Sequence, residues 1–145
     1  MPTENKTIGQ QRLDRIIAAN EFIRVIANCG RRFFHNTGAG HDAYLTLNAR
    51  RNIVWLLDDY TGKRINIAKE GRWEGFSHGG TLKSLLQSIG RHVLCGSMMR
   101  YDYFQPLKVN GFKNPCGYGD DILTVRDEGV RLGQIRESDV QLDAA

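Results

Sequence analysis

The feature that most constrains the fold is a glycine-rich loop that leads directly into an amphipathic helical pattern. The loop reads Ser77-His78-Gly79-Gly80-Thr81. The apolar residues after it recur at the i, i+3, i+4, i+7 and i+11 spacing of one buried helical face. These residues are Leu82, Leu85, Leu86, Ile89 and Val93. Because Gly96 stands where a C-terminal glycine often ends a helix, the pattern predicts a helix over residues 81–95.

A second helix is predicted near the start of the chain. Thr7 and Gln10 have the spacing of a capping box, in which a threonine hydroxyl accepts from the first helical turn. Apolar residues then recur at helical spacing, and Gly30 follows where the pattern stops. The predicted apolar stripe consists of Leu13, Ile16, Ile17, Ile23 and Ile26. We expect a helix over about residues 9–29, with Cys29 completing its buried face.

Between the two helices the apolar pattern alternates with a period of two, which is typical of strands. In the segment 52–58 both alternating faces are apolar, which predicts a central strand of the sheet. The residues Asp59-Tyr60-Thr61-Gly62 supply turn chemistry after it, with glycine where a positive φ is needed. Strands are predicted at residues 31–35, 43–48, 52–58 and 63–68.

Together these elements predict an α+β fold, in which an antiparallel sheet carries both helices on one face. The sheet is expected to be built mainly from residues 31–68, within a single domain that covers residues 1–137. The predicted core residues are Ile16, Ile23, Trp55, Leu57, Ile65, Leu82, Leu85, Leu86 and Ile89.

The C-terminal third is predicted to add a second β-hairpin. Its strands would be residues 122–126 and 130–135, which flank the turn-forming residues Asp127-Glu128-Gly129. Residues 97–120 are predicted to be irregular, and residues 138–145 to be a frayed tail.

Composition excludes several classes of protein. Of the 145 residues, 41% are apolar and 25% are charged, which is typical of a globular domain and not of a disordered chain. No apolar run approaches the roughly 18 residues of a membrane span, and the N-terminal residues are polar, unlike a signal peptide. The three cysteines, Cys29, Cys95 and Cys116, are widely spaced and odd in number. This pattern is typical of free thiols, so we expect a cytoplasmic protein without membrane contact.

Charge is distributed unevenly along the chain. Residues 1–115 contain 17 Lys and Arg against nine Asp and Glu, whereas residues 116–145 contain three against seven. A basic body of this kind attracts polyanions, and an acidic C-terminal segment can fold onto it or compete with such a ligand. The alternative is an ordinary solvated surface.

The loop before residue 82 is also a possible anion site. Its two glycines leave the unpaired N–H groups of the helix N-terminus accessible, where the helix dipole is positive. We predict that a phosphate or carboxylate binds at Ser77, His78, Gly79, Gly80, Thr81 and Lys83. The alternative is a plain turn capped by the hydroxyl of Ser77 or Thr81.

Two sequence strings carry a resemblance to known proteins. They are Asp58-Asp59-Tyr60-Thr61-Gly62-Lys63-Arg64-Ile65 and Gly75-Phe76-Ser77-His78-Gly79-Gly80-Thr81-Leu82. Over about residues 31–96 the chain resembles small phage and prophage proteins of unassigned function. The resemblance implies a phage or mobile-element origin and the host cytoplasm as the place of action. It also implies that the partner is nucleic acid, or a host protein that handles nucleic acid, including a defence complex.

Basic and aromatic residues are interleaved in the strand region, as in proteins that bind phosphates and stack bases. The alternative is that the aromatic residues belong to the core and that the cations are solvated or paired with acidic neighbours. The predicted nucleic-acid-binding residues are Arg31, Arg32, Arg50, Arg51, Lys63, Arg64, Arg72, Tyr60 and Trp73.

No set of residues in the sequence predicts catalysis, a metal site or a cofactor. His35, His41 and Asp42 lie close in sequence but are interpreted as loop residues, and Asp58 and Asp59 as turn caps. The sequence therefore favours a binding protein. Two alternatives remain: an inhibitor that binds a host protein complex without touching nucleic acid, and a small hydrolase or transferase that uses the Gly79-Gly80-Thr81 helix entrance.

Overall fold

The computed structural model describes residues 6–29, 33–99, 108–109, 112–113 and 122–135. The fold is α+β, as predicted, and its central sheet is antiparallel in the order β3-β4-β5. Two further strand pairs, β1-β2 and β6-β7, are also antiparallel. In chain order the elements are α1 (Ile8–Ala27), β1 (His35–Asn36), β2 (His41–Asp42), β3 (Tyr44–Asn48), β4 (Ile53–Leu57), β5 (Arg64–Asn66), α2 (Gly80–Cys95), β6 (Lys108–Val109), β7 (Phe112–Lys113) and α3 (Ile122–Arg131).

Helix α1 begins with the predicted cap. The Thr7 hydroxyl accepts from the Gln10 N–H at 3.1 Å, while the Gln10 side chain turns to Asp14. The predicted stripe is wrong at two positions, because Leu13 is 44% exposed and Ile17 is 67% exposed. The spacing of the buried residues explains the difference, since the buried face is rotated towards Ala19 and Phe22 and away from Leu13 and Ile17. The buried residues of the described part of α1 are Ile16, Ala19, Phe22, Ile23, Ile26 and Ala27.

Strand β4 is the central strand of the three-stranded sheet, as its two apolar faces predicted. The prediction that Trp55 and Leu57 belong to the core is wrong, because both are only partly buried. Val54 and Leu56 are the buried residues of β4. The register explains this arrangement: Leu56 is opposite the buried Leu45, so the face that these two residues share turns towards the core.

Helix α2 packs as the sequence predicts. Its apolar stripe is buried, and the chain leaves it at Gly96 with a φ of 77°, a left-handed conformation that favours glycine. The last carbonyl groups of α2 are bound by two side chains of α1. Arg12 Nε donates to the Leu94 carbonyl at 3.0 Å, and Arg15 Nε donates to the Val93 carbonyl at 2.9 Å. These bonds satisfy acceptors that the end of a helix leaves without partners.

The predicted C-terminal hairpin is wrong, because residues 122–131 form helix α3, which contacts α1. Gly129, interpreted as a turn residue, lies inside this helix and is buried. A Cβ at this position would overlap with the Ile135 side chain and lie 3.2 Å from Phe22 Cε1. The glycine therefore allows close packing of α3, and does not end a strand.

Three smaller predictions also have outcomes. Of the strand expected at residues 31–35, residues 31–32 lie outside the described residues, Phe33 and Phe34 form a turn, and His35 begins β1. The segment 97–120, expected to be irregular, contains the β6-β7 pair. Cys29 is buried, as predicted. The expected frayed tail at residues 138–145 lies outside the described residues. Within the described part of the chain, no helix has the length and apolar character needed to cross a bilayer.

Candidate functional site

The end of β4 and the loop before α2 meet at a cluster of polar side chains. Asp58 and Asp59 follow β4, and Ser77 and His78 precede the Gly79 cap of α2. Asp58 Oδ1 accepts from the N–H groups of Tyr60 at 2.8 Å and Thr61 at 3.0 Å. Asp58 Oδ2 accepts from the N–H and the hydroxyl of Ser77 at 2.8 and 3.0 Å. Asp58 thus ties the β4–β5 turn to the loop before α2.

This arrangement keeps Asp58 ionised. Burial raises the pKa of the Asp58 carboxyl, but the hydrogen bonds donated by Thr61, Ser77 and Tyr60 outweigh burial and lower the pKa below its ordinary value. Because both carboxylate oxygens are occupied by donors, the interpretation of Asp58 as a turn cap agrees with its contacts.

Asp59 has a different environment from its neighbour. Its side chain is buried, and Oδ1 lies 2.8 Å from Nε2 of His78. Oδ2 is also buried and has no hydrogen-bond partner among the described residues. The Asn36 side chain donates to the Asp59 backbone carbonyl at 3.1 Å, so it fixes the backbone and leaves Oδ2 unpaired.

The His78 imidazole is held by rings on three sides. The ring centroids of Phe34, Phe76 and Tyr60 lie 5.0, 5.6 and 6.3 Å from its own, each with an edge-to-face geometry. Phe34 reaches it from a left-handed backbone with a φ of 68°, a conformation that an aromatic residue adopts at a cost. The His78 side chain remains 11% exposed. The imidazole is therefore oriented by packing and still reachable from solvent.

Asp58, Asp59 and His78 each place one ligand-type atom within 4.8 Å of the other two. We call these three residues the Asp–Asp–His cluster. The sequence interpretation missed it because both aspartates were assigned to the turn, which describes only Asp58. Strand pairing gave no signal for it, because the end of β4 is paired with the start of β5, and the loop before α2 returns to Asp58 and Asp59 only in the tertiary fold.

The predicted anion site at the entrance of α2 has a specific arrangement. Gly79 is the N-cap of the helix and makes no side-chain hydrogen bond, and the Ser77 hydroxyl, one of the two expected caps, donates to Asp58. The Ser77 and His78 side chains bind the protein's own carboxylates. Lys83 Nζ donates to the Gly71 carbonyl, and Gly80 and Thr81 begin α2. Anion binding at this entrance stays a prediction, and the two aspartates would be its competitors.

The outward side of the central sheet carries a second group of residues. Across the strands Leu57 is paired with Tyr44 and with Arg64, and Trp55 is paired with Thr46. We call the surface formed by these five residues the outer face. The Arg64 guanidinium lies 5.0 Å from the Trp55 ring centroid, a cation–π geometry.

A cavity of about 470 Å³ opens beside the outer face. Its lining includes Trp55 and the three cations Lys63, Arg64 and Lys69, with Glu74 as the acidic residue. The indole N–H of Trp55 is buried and lacks a hydrogen-bond partner among the described residues. Positive charge therefore exceeds negative charge at this cavity.

The structure separates the predicted nucleic-acid-binding residues into groups. Tyr60 is 58% exposed, whereas Trp73 is 5% exposed, with its indole N–H bound to the Lys69 carbonyl at 2.7 Å. Arg31 and Arg32 lie outside the described residues. The remaining cations are exposed and make no ion pair with another described residue. They are Arg50 and Arg51 in the β3–β4 turn, Lys63 and Arg64 beside the outer face, and Arg72.

Comparison with known proteins gives the family of this α+β chain. The profile of the YoqU family matches residues 9–139, and the chain belongs to that family. The SPbeta prophage-derived uncharacterized protein YoqU of Bacillus subtilis (strain 168) is 28% identical over 98 residues, which cover 64% of this chain and 69% of that protein. The resemblance to a prophage protein is thereby confirmed. No solved structure matches the chain.

Proposed function

We propose that this chain is a phage or mobile-element protein that binds single-stranded nucleic acid on the outer face of its sheet. The observation that supports this most directly is the cation–π pair of Arg64 and Trp55 beside a cavity lined by two further cations. Neither Lys63 nor Lys69 forms an ion pair with another described residue. Their charges remain available for phosphate groups.

The outer face combines the two kinds of contact that single strands need. Tyr44 is 46% exposed and its neighbour Trp55 is partly exposed, so each offers ring surface on which a base can stack. The guanidinium of Arg64 over Trp55 places a positive charge beside these rings, where a phosphate group can bind. The cations that line the cavity lie beside these rings, where the phosphate backbone of a bound strand would pass.

A sheet face favours single strands over a duplex for a geometric reason. Bases in a duplex are stacked and paired, so only their edges are accessible in the grooves. An unpaired strand can lay its bases flat on Tyr44 and Trp55 while its phosphates reach Arg64. Arg50 and Arg51, in the turn at the other end of β3 and β4, extend the positive charge along the sheet.

The proposal is tested by titrating the full chain with labelled single strands and duplexes of DNA and RNA, each about 16 nucleotides long, at several salt concentrations. Binding of the single strand should weaken steeply as salt rises, because bound phosphates release counterions. Arg64→Ala should lower the affinity and reduce the magnitude of the log–log salt slope by about 0.7 to 1. Arg91→Ala is the matched control, since Arg91 is also exposed but lies on α2, away from the outer face.

Two results would contradict this function. The first is the absence of binding at low salt, and the second is an equal loss of affinity in Arg64→Ala and Arg91→Ala. The first result would redirect the search to a host protein that handles nucleic acid, as the direct target of an inhibitor. A pull-down from host lysate would then be the next measurement.

A further inference from the structure

We propose that the Asp–Asp–His cluster is a binding site for one divalent transition-metal ion, with Asp59 and His78 as its direct ligands. The inference goes beyond the proposed nucleic-acid binding and does not depend on it. Two observations carry it: the ligand-type atoms of the cluster lie within 4.8 Å of one another, and the buried Oδ2 of Asp59 has no hydrogen-bond partner among the described residues.

The unpaired oxygen of Asp59 points to a ligand because it is costly to leave unsatisfied. Asp59 is 1% exposed, so solvent does not hydrate its carboxylate. A buried carboxylate oxygen without a donor loses its hydration, and no hydrogen bond within the protein replaces it. The side-chain amide of Asn36 donates to the backbone carbonyl of Asp59 and not to Oδ2. The N–H and the hydroxyl of Ser77 both donate to Asp58. A cation bound by both oxygens of the Asp59 carboxylate would supply the missing interaction to Oδ2.

The distance between the two proposed ligands fits a shared ion. Two ligand atoms at about 2.1 Å from a metal, and at right angles to each other, are about 3.0 Å apart. Nε2 of His78 and Oδ1 of Asp59 are 2.8 Å apart. One ion could therefore bind both side chains after small rotations, and the rings of Phe34 and Phe76 already hold the imidazole in place.

Asp58 contributes charge more than coordination. Its oxygens are occupied by four donors, so it can become a ligand only if the Ser77 hydroxyl turns away. Asp58 and Asp59 together carry two negative charges, which a divalent ion would neutralise. No described Lys or Arg forms an ion pair with either aspartate.

The ligand types indicate which class of metal would bind. Imidazole and carboxylate together suit Mn²⁺, Fe²⁺ and Zn²⁺, whereas sites for softer ions are built from thiolates. Neither of the described cysteines, Cys29 and Cys95, belongs to the cluster. Because protein ligands would fill two or three positions, water would occupy the others.

The test is a titration of the untagged full chain with Mn²⁺ alone, followed by electron paramagnetic resonance of the free ion. Mn²⁺ is chosen because it avoids the thiols, which would bind Zn²⁺. We expect one bound ion per chain, and an affinity at least about tenfold lower in Asp59→Asn and in His78→Gln, since even supporting residues of metal sites have effects of that size. Asp42→Asn is the control because it alters the other His–Asp pair, His35–Asp42 at 2.5 Å.

A second measurement keeps the proposal testable if a variant does not fold. Substoichiometric Mn²⁺ should broaden the wild-type amide resonances of residues 58–61 and 77–79 before all others. Excess Zn²⁺ should displace Mn²⁺, because it binds the same ligands more tightly. The proposal is overturned if Mn²⁺ does not bind, if broadening is centred elsewhere, or if a folded Asp59→Asn variant binds Mn²⁺ as the wild type does.

Discussion

The strongest stability prediction concerns Asp58, which holds the β4–β5 turn and the loop before α2 together. Asp58→Ala removes the acceptor of four hydrogen bonds, donated by Tyr60, Thr61 and Ser77. Each hydrogen bond to a charged group contributes about 1.5–3 kcal/mol in a buried setting. The three donor residues are exposed, so water can replace part of this energy. We therefore expect the free energy of unfolding to fall by about 2–4 kcal/mol, well below the sum of the four bonds.

Asp58→Asn separates charge from hydrogen bonding. Its amide oxygen can still accept from Tyr60 and Thr61, while its NH2 group faces the N–H of Ser77 and can donate only to the hydroxyl. We expect a loss of about 1–2 kcal/mol, roughly half that of Asp58→Ala. Asp14→Asn is the matched control, because Asp14 forms a pair with Lys6 in which both side chains are more than a third exposed. The control should lose less stability than either variant of Asp58.

The assay is urea unfolding with an unchanged m value, repeated over a range of pH. The pKa of Asp58 is below 3.8 in the folded protein, because its hydrogen bonds outweigh the opposing effect of burial. The stability it contributes is therefore present above pH 3.8 and is lost as the pH falls towards the lower folded pKa. The difference between wild type and Asp58→Asn should shrink in that range. Equal stability losses in Asp58→Ala and Asp14→Asn would refute the reasoning.

Three further predictions address packing and pH. Leu86→Ala should lower the free energy of unfolding by about 2–5 kcal/mol in urea titrations, because Leu86 is fully buried in α2. Gly129→Ala should destabilise the protein by about 1–3 kcal/mol because its methyl group would overlap with Ile135, and a higher melting temperature would contradict the packing of α3. Burial, and secondarily the charge of Arg15, lower the pKa of His92 below 6.5, against a hydrogen bond that raises it. Wild-type stability should therefore decrease as the pH falls below 6.5, and His92→Gln should reduce this pH dependence in urea titrations.

The sequence predicted both long helices and the central position of β4, but it could not decide which face of β4 is inside. Alternation distinguishes a polar face from an apolar one, and β4 has Trp55 and Leu57 on one side and Val54 and Leu56 on the other. The tertiary contact decides: the face with Val54 and Leu56 turns towards the helices, and the bulkier face remains partly exposed. The larger side chains were expected in the core because their burial removes more apolar surface from water.

Helix α3 shows why local propensity was misleading at the C-terminal end. Ile122, Thr124 and Val125 are β-branched and favour strands, and the following Asp127-Glu128-Gly129 has the composition of a turn. Gly129 is required mainly by Ile135, whose side chain overlaps with the position of a Cβ, while Phe22 of α1 lies 3.2 Å from that position. Tertiary packing therefore overrides local preference here.

The Asp–Asp–His cluster was only half predictable. The Asp58 side chain accepts hydrogen bonds from backbone N–H groups of the turn, as aspartate before a turn commonly does. The turn residues that end at Gly62 predicted this role. The pairing of Asp59 with His78 joins residues 19 positions apart, across β5 and the loop that follows it. Neither residue has a short-range pattern that marks such a contact, and the assumption that neighbouring aspartates point apart holds for a strand but not for this turn.

The bonds from Arg12 and Arg15 to the end of α2 have a consequence for the order in which the chain can fold. They join residues 82 and 78 positions apart, so α1 is synthesised long before its partner carbonyls exist. Until Cys95 has left the ribosome, α1 lacks the packing surface that α2 provides. Closing so long a loop slows folding more than it lowers stability. Nascent chains that end before Cys95 should therefore be recognised by chaperones and cut by proteases within α1.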